Sequence, residues 1–307
     1  MLFRSLLGAE PFAPVPSSVR GSPDIIVIML DTLAMADADA CNPNSATMPR
    51  LAAFAGGASC FTRFYASSNF TTPTTSTFES GLLPWSHFAT QPDAKMAPHT
   101  RGHNLADVLK SQGWRTHSIT DNLLGSPRHR GTFAAYSSSG FAHTTLYGNW
   151  FREAMTVFPD TALPRLAATA VSFLGSFDMA LHGHDSPYVS ERTYEAMLAL
   201  MQREPRDRPM FLWALTLPPH SPYLPPPQTK YRLLPPGDLE TWRQMMPDNI
   251  EYGPRAQPLV DKHRLRYRES MMAADASLGA FLDQLENSGR LRNAIVVITS
   301  DHGESFE

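Results

Sequence analysis

Several features that would announce a protein class are scarce in this chain. Only two of its 307 residues are cysteine, Cys41 and Cys60. There is no Cys/His array of the zinc-finger kind. Two cysteines in so long a chain are expected to be buried free thiols, although they could pair. No apolar run reaches the roughly 18 residues of a membrane-spanning helix. The best stretch, Leu166 to Leu181, is interrupted by Ser172, Gly175, Ser176 and Asp178. The N-terminal apolar run, Leu2 to Leu7, is too short for a secretory signal, which sets a cytoplasmic expectation. A formal net charge of -3 and a pI near 6.4 give no support for nucleic-acid binding. Internal repeats and low-complexity tracts are missing as well.

What is present describes a globular protein with a substantial core: 42% hydrophobic and 18% charged residues. Residues 1–23 read as a lead-in segment, Pro/Ser-rich from Phe12 onward, and 24–307 as one large domain. Asp24-Ile25-Ile26-Val27-Ile28-Met29-Leu30, Pro209 to Leu217 and Asn293 to Ser300 are continuous apolar, β-branched runs. Such runs suit strands buried on both faces inside a parallel sheet. Cys60 to Tyr65 and Trp114 to Thr120 are weaker strand candidates. Helices are expected over Met48–Ala55, over 105–112 with Asn104 as cap, from Ser190 through Gln202, and over Tyr267–Ser288. The alternation gives an α/β fold with a mostly parallel central sheet sandwiched by helices. The prolines between Pro218 and Pro236 imply a long extended surface loop.

Polar residues stand where these strands stop. The first runs into Asp31-Thr32, and the last into Asp301-His302-Gly303-Glu304. In open α/β sheets, sites form at the carboxyl ends of strands. A lone Asp31 reads as readily as a turn cap, but an adjacent Asp-His pair before glycine is a stronger metal-ligand pattern. His220 lies on a proline-stiffened loop after the Pro209–Leu217 strand, well presented to a site. Ser126-Pro127-Arg128-His129-Arg130 is a short basic loop that reads as a solvated charge cluster, or as a contact for an anion.

Between them lies Thr71-Thr72-Pro73-Thr74-Thr75-Ser76-Thr77-Phe78-Glu79-Ser80-Gly81. Proline suits the first turn of a helix, so Thr72 is the candidate N-cap and Thr71 stands just outside. A helix N-terminus carries free N–H groups and partial positive charge, which favour an anion. A hydroxyl held there can attack a phosphate or sulfate ester if a metal and a base are near. Taken alone, the stretch also fits an ordinary capped helix.

Together these segments resemble the sulfatase/alkaline phosphatase superfamily. The residues that carry the resemblance are Asp24 to Leu33, Thr71-Thr72-Pro73 with Ser80-Gly81-Leu82-Leu83-Pro84, Arg208 to Tyr223, and Tyr267 to Glu304 with its Thr299-Ser300-Asp301-His302-Gly303-Glu304 ending. Formylglycine sulfatases carry Cys or Ser two residues before that proline and Arg two after. Here those positions hold Thr71 and Thr75, so the chain is more similar to the threonine-nucleophile branch of lipoteichoic-acid synthases and phosphoethanolamine transferases. The resemblance implies one divalent cation held by Asp31, Thr71, Asp301 and His302, with zinc or manganese favoured and calcium or magnesium also compatible. It implies Thr71 as nucleophile and His220 as a contact to an anionic ester substrate, or as the acid for its leaving oxygen. Phosphoryl transfer is favoured over sulfuryl transfer, because threonine has no route to formylglycine.

The pattern departs from the family at Thr32, Ala34 and Pro218, where relatives often carry Asp, Arg and an acidic residue. Relatives also continue past the Asp-His pair into a C-terminal subdomain, which makes truncation at Glu307 an expectation. Relatives are often periplasmic or extracellular. The alternatives are a non-catalytic or truncated relative that keeps the fold, and an unrelated α/β binding domain.

Overall fold

The computed structural model describes residues 19–92, 94–100, 104–141, 190–245 and 254–306. Among them five strands form one sheet: β1 (Asp24–Leu30), β2 (Arg115–Thr120), β3 (Ser138–Phe141), β4 (Met210–Thr216) and β5 (Ala294–Ser300). Their order is β3-β2-β4-β1-β5, and every neighbouring pair is parallel. The apolar runs of β1 and β4 are continuous because each face of the sheet meets a separate layer. Ile26, Ile28 and Leu30 join Leu212 and Ala214 under Tyr194, Met197, Tyr267, Met271 and Phe281. Val27 and Met29 join Phe211, Trp213 and Leu215 against Ala106, Ala135 and Tyr136. The α/β architecture is therefore the expected one.

Some elements differ from expectation. β5 lies at the sheet edge, with Ile295 51% and Val297 38% exposed, so it is not buried on both faces. Cys60 to Tyr65 forms no strand. Both edges of β1 are taken by β4 and β5, and the segment finds no ladder among the described residues. Phe61, Phe64 and Tyr65 are exposed there. Cys41 and Cys60 are not free thiols but a disulfide, across a sequence separation of 19. Their spacing alone carried no sign of this, because the approach depends on how the loop after the Met35–Ala38 helix folds back.

The helices Pro49–Ala55 and Leu105–Ser111 fall where expected, and the Asn104 side chain accepts the Asp107 N–H at 2.9 Å. The helix Glu191–Arg203 also forms, but the Ser190 side chain makes no capping bond. The last helix is longer than the Tyr267–Ser288 expectation and runs Gln257–Asn287. Its first turns look polar in sequence because they bury charge in pairs. Arg266 Nη1 donates to Glu269 Oε2 at 2.5 Å with both side chains fully buried, and Glu269 Oε1 accepts the N–H groups of Leu233 and Leu234. The stretch 166–181 lies outside the described residues. Among those described, no helix is long and apolar enough to cross a membrane.

Candidate functional site

The sheet register assembles the site. Leu30 pairs with Thr216 on one side and Ser300 on the other, so Asp31 and Asp301 leave adjacent parallel strands at the same level. Both carboxylates are fully buried. Asp31 Oδ2 accepts the Asn122 amide at 2.5 Å. Asp301 Oδ1 accepts two backbone N–H groups, from Thr32 at 3.0 Å and His302 at 2.8 Å. The remaining oxygens, Asp31 Oδ1 and Asp301 Oδ2, are buried without a hydrogen-bond partner among the described residues.

His302 completes the group. Its Nδ1 lies 3.0 Å from the Gly303 carbonyl, which can only accept, so Nδ1 is the donor and, in the neutral ring, Nε2 offers a lone pair. Nε2 is 3.7 Å from Asp301 Oδ2 and 3.8 Å from Asp31 Oδ1. Asp31, Asp301 and His302 each offer one ligand atom within 4.8 Å of those of the other two. Two orphaned carboxylate oxygens and one imidazole lone pair form a donor set that fits a divalent cation. Burial, and then repulsion from Asp301, pushes the Asp31 carboxyl well above the usual carboxylate range.

The turn after β1 is held in an uncommon conformation. Thr32 has φ 63°, the left-handed region that a β-branched residue rarely adopts. Tyr267 locks it: its hydroxyl donates to the Thr32 carbonyl at 2.7 Å and accepts the Ala34 N–H at 2.8 Å. Tyr267 thus fixes the exit of Asp31 from the sheet, a role its place in an apolar helix pattern did not reveal.

Thr71 opens the helix Thr71–Ser80 as its first residue, with Phe70 at the cap position. The expected capping role of Thr72 is not found. Its hydroxyl instead donates to the carbonyls of Pro92 at 2.5 Å and Leu124 at 3.1 Å, pinning the helix start to the loop after β2. Thr71 Oγ1 lies 3.4 Å from Asn122 Nδ2, the same nitrogen that meets Asp31. Gly125 packs beneath it; a Cβ there would collide with Leu215 Cδ2 and come within 3.3 Å of Thr71 Cγ2. Lower on the helix, the buried Glu79 accepts from Arg130 Nε at 3.0 Å, Thr132 Oγ1 at 2.9 Å and Tyr136 OH at 2.7 Å. Arg130 is therefore neither solvated nor open to a substrate anion: it is 1% exposed, paired with Glu79 and stacked 4.9 Å over Trp213.

His220 sits on the loop after β4. Its Nδ1 lies 2.5 Å from the Ser221 carbonyl, which again leaves Nε2 as the acceptor. Burial lowers its pKa, with opposing contributions from Asp301 and His302 that place it within electrostatic reach of both. Glu304 lies within reach of the same pair, and burial raises its carboxyl. The structure thus gathers Asp31, Asp301, His302, Thr71 and His220 at one end of the sheet. Asn122 is the residue sequence reasoning missed. It stands two residues past the end of β2, one further from its strand than Asp31 is from β1, and a polar residue near a strand end was the available signal.

The family model described as Sulfatase matches residues 23–307. No curated protein matches the chain in sequence. Among solved structures, the phosphonate monoester hydrolase of Agrobacterium radiobacter superposes with a TM-score of 0.63 at 18% identity, over 92% of this chain and 63% of that one. The lipoteichoic acid synthase LtaP from Listeria monocytogenes gives 0.54 at 15% identity, over 95% and 60%. The C-terminal periplasmic domain of EcEptC from Escherichia coli, in complex with zinc, gives 0.54 at 13%, over 97% and 68%. At these identities the likeness is one of fold. The chain spans 63% of the length of the hydrolase.

Proposed function

The chain belongs to the sulfatase family, and from that premise we propose that it is a metal-dependent ester hydrolase or transferase that uses Thr71 as nucleophile and favours phosphoryl groups. The observation that carries this reading is the convergence of Asp31 Oδ1, Asp301 Oδ2 and His302 Nε2, two of them orphaned, beside Thr71. Two buried carboxylates would repel an anionic ester, so the site accepts one only when their charge is offset.

Asp31, Asp301, His302 and the Thr71 hydroxyl would hold a divalent cation. When bound, the cation would lower the pKa of the hydroxyl and offset charge on the transferring group. The chain's own residues divide the remaining work. Asn122 Nδ2 donates toward Thr71 Oγ1 and keeps that oxygen oriented, while the helix N-terminus contributes free N–H groups and partial positive charge. Thr71 Oγ1 forms the bond to phosphorus as the ester oxygen leaves with its alcohol. His220, neutral with its proton on Nδ1, takes the Thr71 hydroxyl proton at Nε2 and returns it to the leaving oxygen, which departs as the alcohol. The phosphorylated Thr71 then passes its group to water or an acceptor alcohol.

The test is turnover of bis(p-nitrophenyl) phosphate, p-nitrophenyl phosphate and p-nitrophenyl sulfate by the zinc- or manganese-loaded chain, alongside Thr71→Ala. Phosphoester turnover lost in the mutant, with phosphate trapped on Thr71 by mass spectrometry, is the expected result. Equal activity in Thr71→Ala sinks the mechanism, and activity on the sulfate ester alone reverses the phosphoryl preference. A second reading, a domain that keeps the fold and binds metal without turnover, is favoured by Thr75 and Pro218, which stand where relatives often carry an arginine and an acidic residue. Stoichiometric metal with no turnover of any ester selects it.

A further inference from the structure

Asp121 directly follows β2, is buried, and takes no part in the scheme above. Its backbone N–H donates to the Leu215 carbonyl at 2.9 Å and carries the β2–β4 ladder one residue past the strand. Its carboxylate faces donors on two further elements. Oδ1 accepts the Thr193 hydroxyl at 2.5 Å, from the first turn of the Glu191–Arg203 helix. The carboxylate also lies within electrostatic reach of the backbone N–H of Leu217, just past β4.

Both ends of this clasp lead to the site. Leu217 accepts the His220 N–H through its carbonyl at 2.9 Å, so the segment that the Asp121 carboxylate faces is bonded to His220. On the other side Asp121 is joined by a peptide bond to Asn122, whose amide meets Asp31 and Thr71. Among the described residues no cation pairs with Asp121, and burying an unpaired carboxylate is costly. A neutral side chain would tie the same elements together at less cost. What a carboxylate adds is a second acceptor: either oxygen can meet a donor, whereas an amide has one acceptor oxygen and must be turned the right way round.

We propose that Asp121 is a positioning residue, which fixes the Asn122 arm and the His220 arm of the site relative to each other through Leu217 and Thr193. The inference rests on the reading of Asp31, Thr71 and His220 as one site. Thr193 lies at the far end of the clasp, so its loss reaches the site only through Asp121.

The test compares wild type, Asp121→Ala, Asp121→Asn and Thr193→Val in the full 307-residue chain. Two readouts are taken: the His220 imidazole resonances, assigned with His220→Gln, and kcat and KM for bis(p-nitrophenyl) phosphate with zinc. Displacement of an arm by a fraction of an ångström is expected to lower kcat about 10-fold in Asp121→Ala and Thr193→Val, with KM within about 2-fold. The His220 resonances should shift in both, and Asp121→Asn, which keeps an acceptor oxygen, should recover most of kcat. A folded Asp121→Ala or Thr193→Val with unmoved His220 resonances and wild-type kcat overturns the proposal, even where its melting temperature falls. Should Asp121→Ala not fold, Thr193→Val decides, because it exchanges a hydroxyl for a methyl of the same shape. Should wild type turn over no ester, the functional reading fails separately: moved His220 resonances still support the coupling, and unmoved ones overturn it.

Discussion

Asn122 Nδ2 stands 2.5 Å from Asp31 Oδ2 and 3.4 Å from Thr71 Oγ1, so one amide joins a carboxylate of the metal-type cluster to the hydroxyl at the helix start. The contact also favours ionised Asp31, against burial and the repulsion of Asp301. Replacing Asn122 with Ala removes both effects. We expect kcat/KM for a phosphoester to fall about 10²-fold, and zinc affinity to weaken about 10-fold by titration calorimetry. Wild-type zinc affinity in Asn122→Ala would exclude the link to Asp31.

Cation binding should stabilise the fold, because it relieves two buried carboxylates that face each other. At a free concentration of 100 times Kd the expected gain is about 2.7 kcal/mol, read as a rise in Tm on adding zinc and its reversal by chelator. Asp301→Asn should abolish the zinc-dependent rise. Without metal it should be at least as stable as wild type, since the repulsion on Asp31 is gone.

Asp121 gives a pH signature. Burial raises its carboxyl from the ordinary 3.8 to about 7. A carboxyl raised on folding binds its proton more tightly in the native state. Its stabilising contribution is therefore complete below about pH 4 and is lost as pH rises toward 7, with a full span of roughly 4 kcal/mol at most. Asp121→Asn removes this slope. Urea denaturation should show the variant gaining on wild type between pH 5 and pH 8; parallel curves would mean Asp121 titrates normally.

Tyr267→Phe tests the clamp on the Asp31 turn. It leaves the Thr32 carbonyl and the Ala34 N–H without their partner, at a cost of about 1–3 kcal/mol. Because Thr32 is held at φ 63°, release should also let Asp31 shift. Thermal denaturation checks the first effect and zinc affinity the second.

The Cys41–Cys60 bridge closes a loop on the segment that leads into Thr71. In the chain-entropy view such a loop contributes about 3 kcal/mol. Dithiothreitol should lower wild-type stability by that order in urea melts and leave the Cys41→Ser, Cys60→Ser double variant unaffected.

The strands β1 and β4 were legible because a run apolar at both parities has few homes other than a sheet covered on both faces. Asp31 and Asp301-His302 were legible for a related reason: polar residues that interrupt such runs mark the strand ends. The buried Arg266–Glu269 and Arg130–Glu79 pairs were not, since a charged residue reads as exposed until its partner is brought to it. The disulfide was hidden likewise, as was the fate of Cys60–Tyr65, whose strand-like composition finds no ladder among the described residues.

Residue order by itself determined the parallel sheet, the strand-end carboxylates and the hydroxyl-rich helix start, because periodicity and composition act locally. Only the tertiary structure decided which atoms meet. The register that levels Leu30 with Ser300 turns two distant aspartates into one cluster. The loop after β2 delivers Asn122 between Asp31 and Thr71, and takes the Thr72 hydroxyl out of its capping role. Such contacts depend on where strands and loops end in space, and no local pattern encodes that.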